Sequence, residues 1–141
     1  MRLARQSTGS SAQTGRRRTV RLGAAAASAL VAVLYALIGI GVVSVVTESS
    51  ADAPPLIIFG LSAGAAFALG AILLVALDRR ILWILGALFQ VGVIVMYINV
   101  APHRTPPFEM WGITIKILQV LILGALAYLV ITPSEAEARP R

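Results

Sequence analysis

The chain has 141 residues, of which 58% are hydrophobic and 13% charged. Soluble domains carry about 45–50% apolar and about 25% charged residues, so there is too little polar side chain here to cover a water-soluble globule of this size. The composition excludes a soluble enzyme, a disordered chain and a nucleic-acid module, and predicts an integral membrane protein. With no cysteine there is no disulfide framework, no thiolate nucleophile and no Cys-ligated metal.

The net charge of +6 is concentrated at the front, where Arg2, Arg5, Arg16, Arg17, Arg18 and Arg21 precede the first apolar run. Residues 1–21 read as a basic, disordered cytoplasmic tail. Such a tail can bind nucleic acid or anionic lipid. It has no aromatic side chain to stack on bases and runs straight into an apolar segment. Both features favour an orientation signal resting against the acidic inner leaflet, and no nucleic-acid partner is expected.

Apolar runs follow at 22–46, 56–77, 81–100 and 110–131, of 25, 22, 20 and 22 residues. About 20 helical residues cross the hydrocarbon core. None of the runs alternates as a membrane strand does, and backbone in lipid must bond to itself. The expected fold is an all-α, antiparallel four-helix membrane bundle over residues 22–131, followed by a short cytoplasmic tail, 132–141. Thr47–Pro55 and Ala101–Glu109 separate the runs with polar residues and prolines. The turn Asp78-Arg79-Arg80 is so short that the second and third helices are expected to be antiparallel neighbours.

Ten Lys or Arg flank the spans on one side: six in the N-terminal tail, Arg79, Arg80, Arg139 and Arg141. The other side has Arg104 alone. The asymmetry places both termini in the cytoplasm. The first run is too long for a signal-peptide core, which spans about 7–15 residues, and reads as a retained anchor.

Helices associate in lipid through small residues. Ala24, Ser28, Ala32 and Ala36 form such a stripe in the first run. Gly60, Gly64 and Ala68 form another in the second, with Ser62, Ala66 and Gly70 as a second row. The Gly60/Gly64 pair reads either as a homodimer face or as packing within the subunit. Two rows predict an inner helix packed on two sides.

The candidate site is a set of intramembrane polar residues. Gln90 and Gln119 lie near the middle of the third and fourth runs and are positioned to bond each other, as glue between helices or as a substrate-coordinating pair. Lys116 sits six residues inside the fourth run, about 9 Å from its outer end. Its stem can snorkel, yet an ionisable residue this deep points to function by default. Glu109 lies two turns earlier on nearly the same face, which predicts pairing of Lys116 with Glu109 or with the Gln119 amide. His103 is the single histidine, insufficient for a zinc or bis-His haem site. Trp83, Trp111, Tyr97 and Tyr128 read as belt anchors at span ends. No catalytic residue, metal ligand or cofactor is expected.

The layout, the turn Asp78-Arg79-Arg80-Ile81-Leu82-Trp83 and the proline-rich loop Pro102–Glu109 resemble the small, uncharacterised four-span integral membrane proteins of high-GC Gram-positive bacteria. That resemblance implies a fold and a membrane location and no activity. Small multidrug transporters carry an acid in the first span, fluoride channels a Gly-rich motif with an Arg, and quinone-linked thiol oxidases cysteines; none of these is present. The expected function is a non-enzymatic accessory or assembly subunit packed against a membrane partner. The alternative is a small homo-oligomeric transporter or channel with its pathway between subunits along Gly60 and Gly64.

Overall fold

A computed structural model describes residues 4–43, 56–100, 102 and 109–132. Among these the regular elements are four long helices and no strand: α1 (Ala4–Gly39), α2 (Leu56–Ala76), α3 (Arg80–Val100) and α4 (Met110–Ile131). All four are long and apolar enough to cross a membrane. The chain is therefore built as a multi-pass helical membrane protein. The loop 47–55, the loop around His103 and Arg104, and the C-terminal tail lie outside the described residues.

α1 departs most from expectation. It begins at Ala4 and runs for 36 residues, so most of the segment expected as a disordered tail is the first half of a helix about 54 Å long. The reason lies in its packed face. Arg17, Ala24, Ala25, Ser28, Val31, Ala32, Tyr35 and Ile38 are buried, a three-and-four spacing that starts well ahead of residue 22. Arg17 thus belongs to the bundle.

The other end of α1 comes sooner than the apolar run, which continues to Val46. Gly41 takes a left-handed conformation, φ +77°. Its N–H donates to Ile38 O at 3.1 Å and the Val42 N–H donates to Leu37 O at 3.0 Å. This pair of bonds is a Schellman stop, which needs a residue tolerant of positive φ. Hydropathy carries no trace of it.

The helices pack in the order α2–α1–α4–α3. α2 lies on α1 through small residues. A Cβ at Gly60 would stand 2.4 Å from Gly39 Cα and 2.7 Å from Tyr35 O, and one at Gly64 would stand 3.0 Å from Ala32 O. Further along, the Ser28 hydroxyl donates to Phe67 O at 2.9 Å. Ala68 is half-buried beside this core, and Tyr35 stacks on Phe67 with ring centroids 5.7 Å apart. Ser62 and Ala66 of the second row are exposed, so α2 packs on one side and is not an inner helix.

α3 packs on α4, where Gly86 admits the Leu126 side chain and Gly112 admits the Tyr97 ring. The expectation that α2 and α3 are neighbours along their length fails. They meet at the ring pair Phe67–Phe89, centroids 5.8 Å apart. A short turn ties two helix ends together and leaves the axes free to diverge. The smooth Gly60/Gly64 face of α2 is already occupied by α1.

Candidate functional site

Polar side chains gather in two places. At one end of the bundle Arg17 is buried and joins its own helix to two other segments. Its guanidinium donates to Leu129 O at 3.0 Å and to Thr132 O, closing the last turn of α4. Nη2 lies 2.9 Å from Asp78 Oδ1 in the α2–α3 turn, and Arg21 Nη1 lies 3.5 Å from Asp78 Oδ2. The last carbonyls of a helix have no partner within it, so a planar fork with several donors suits this place better than an ammonium would. The hydrogen bond from Arg17 holds the Asp78 carboxyl below its ordinary 3.8, aided by the charges of Arg17 and Arg21 and opposed by partial burial.

Trp83 joins this cluster. It is 1% exposed, with its indole N–H directed toward Asp78 without a fully formed hydrogen bond. The belt role expected for it is therefore wrong: a ring this enclosed does not stand at a lipid interface. Trp111 is exposed, whereas Tyr128 is half-buried under the Arg16 guanidinium, 5.6 Å from its ring centroid.

The second gathering lies in the interior, on α1, α3 and α4. Gln119 is 0% exposed and Gln90 is 3% exposed. They do not bond each other: Gln90 Oε1 has no partner, and Gln119 Oε1 is taken by the Lys116 ammonium. Gln119 Nε2 faces the buried Tyr35 hydroxyl without a well-formed hydrogen bond. The expected amide pair is thus replaced by a Lys–amide pair, because a cationic donor competes better for an amide oxygen than a neutral one does.

Lys116 is half-buried and bonded within the protein. Helical side chains lean toward the N-terminus of their helix, which for α4 is its Met110 end. Lys116 therefore meets the Oε1 of Gln119 where that side chain leans back toward it. Its ammonium also stands 4.8 Å from the centroid of the Tyr97 ring, a cation–π contact. No ion pair joins it to Glu109, which is half-buried with Oε1 unpartnered. Of the four residues expected to cluster, Lys116 and Gln119 are bonded together, and Gln90 and Glu109 stand unbonded to them. Tyr35 and Tyr97 are the members that sequence reasoning missed.

A charge at the centre of a span costs about 2.5–3.5 kcal/mol to insert on translocon scales. An amide oxygen and an aromatic face offset part of this, and neither supplies a counter-charge. Chemically the site is a fixed positive charge beside hydrogen-bond donors, in surroundings of low dielectric.

Gly60 and Gly64 are buried against α1 of the same chain. That surface is not available to a second copy, so the row offers no pathway between subunits. No family model, no curated protein and no solved structure matches the chain. The resemblance to four-span proteins of high-GC Gram-positive bacteria therefore rests on the quoted residues alone.

Proposed function

We propose that the chain is a non-enzymatic subunit of a membrane assembly, seated in the cell membrane as an antiparallel bundle with both termini in the cytoplasm, and that α3 is the helix its larger partner covers. The observation that carries the reading is the position of α3 at the end of the row α2–α1–α4–α3. Only 11% of its span is buried, against 44% for α1. Lipid tails solvate such a face, yet α3 packs along one neighbour only and touches α2 at the single ring pair Phe67–Phe89, which leaves most of its surface for another helix.

The register of contacts supports the antiparallel arrangement. Gly60 meets Gly39, Gly64 meets Ala32 and Phe67 meets Ser28, with residue numbers rising on α2 as they fall on α1. Gly112 against Tyr97 and Leu126 against Gly86 repeat the relation for α4 and α3. The excess of Lys and Arg flanking one side supports the cytoplasmic termini. Single cysteines at positions 50 and 105, probed with an impermeant reagent in intact cells, are expected to label; protection of position 50 would reverse the topology.

Purification in mild detergent followed by native mass spectrometry tests the function. A stoichiometric membrane protein bound to this chain is expected. A monomer carrying only lipid contradicts the proposal, and a homo-oligomer returns the transporter reading.

A further inference from the structure

We infer that Lys116, Gln119 and Tyr35 form a binding site for a small monovalent anion of the halide class, inside the bundle between α1, α3 and α4. Three observations lead there. The ammonium is bonded to a side chain that is 0% exposed. Its charge is not matched by any carboxylate among the described residues. Beside it, the fully buried Gln119 Nε2 is a donor without a partner, facing the Tyr35 hydroxyl.

The donor set decides the class of ligand. A lysine ammonium has three N–H groups, and here one is given to Gln119 Oε1. The remaining N–H groups, the amide N–H₂ and a phenol O–H are all donors, which suits an anion and disfavours a metal cation. One fixed positive charge balances one negative charge. The packed surroundings of Gln119 (Ile115, Ile122 and Tyr35 are all buried) admit a single atom more readily than an oxyanion with its own hydration. Lys116 and Tyr97 keep partial exposure, so the ammonium side of the cluster opens toward the surface near the Met110 end of α4. A carboxylate from a partner helix would satisfy the same charge, but it would have to reach past the half-buried Lys116 to the Gln119 amide, which is 0% exposed.

The test uses the full chain in nanodiscs of fixed lipid composition. Thermal unfolding is followed by tryptophan fluorescence while sodium gluconate is replaced by sodium chloride at constant ionic strength. A ligand that binds the folded state raises Tm with its concentration, so a saturable rise in chloride is expected. Lys116→Met should weaken the apparent chloride affinity at least about tenfold, a loss of about 1.4 kcal/mol. Gln119→Glu keeps the volume and supplies an internal counter-charge, so it should fold and lose the chloride response. A Tm independent of chloride overturns the inference, as does an undiminished response in either variant. Chloride insensitivity, together with a co-purifying protein that Lys116→Met releases, would overturn it in favour of a partner carboxylate.

Discussion

Arg17 Nη2 lies 2.9 Å from Asp78 Oδ1, and this one ion pair connects the first helix to the turn between the second and third. The same guanidinium closes the end of α4. The ends of α2, α3 and α4 are therefore tied to the middle of α1 by two side chains. Asp78 is the only acid on the basic side of the spans apart from those in the C-terminal tail.

Arg17→Met should destabilise the folded protein by about 1.5–3 kcal/mol, the range for hydrogen bonds to charged groups. Arg17→Lys should recover only part of this, because an ammonium lacks the planar fork. Arg18→Met, at an exposed neighbour, should be close to neutral. Urea or thermal unfolding in detergent reads all three.

Acid should weaken the same connection. The Asp78 carboxyl is held below its ordinary 3.8 in the folded state, so the unfolded chain takes up the proton first as pH falls. Stability from this group is complete above the ordinary value and is lost as pH falls through the lowered one. Tm measured from pH 6 downward should decline below about pH 4, and Asp78→Asn should flatten that part of the profile. An unchanged profile in the variant would assign the acid sensitivity to other carboxylates.

The glycines should divide by what a methyl group would meet. Gly60→Ala drives a Cβ into the Gly39 backbone, which has no side chain to rotate away, and should cost about 1–3 kcal/mol as overpacking does. Gly64→Ala meets Ala32 O at 3.0 Å and should cost less. Gly124→Ala meets nothing within 4 Å and should be neutral or stabilising by up to about 1 kcal/mol. Equal effects at Gly60 and Gly124 would contradict the packing of α2 on α1.

Lys116 should couple to Gln119 and not to Glu109. Double-mutant cycles with Lys116→Leu, Gln119→Leu and Glu109→Gln are expected to give a coupling energy of at least about 0.5 kcal/mol for the first pair and additivity for the second. Strong coupling to Glu109 would place the ammonium at the end of α4.

Much of this architecture was readable in advance, and the failures have local causes. The ends of α2, α3 and α4 follow the apolar runs to within a residue, because a span ends where the side chains become polar. α1 fails at both ends: Gly41 stops it by backbone geometry, and Arg17 extends its packed face by burying a charge that composition assigns to solvent. Spacing placed Lys116 and Gln119 on one face but did not reveal which way the ammonium points. That direction depends on Tyr97, brought in from α3, and on Gly112, which leaves room for its ring. Trp83 departs from the belt expectation because its depth depends on Asp78 and the packing of α3 on α4, which a position near a span end does not encode.

The proposal that α3 is covered by a partner is tested most directly by photocrosslinking in native membranes. A photoreactive residue replaces Leu88 on α3, 64% exposed, and, as a control, Ile72 on the outer face of α2, 62% exposed. The account predicts one discrete protein adduct of constant mass from position 88 and only lipid adducts from position 72. Lipid adducts alone from both positions would contradict it.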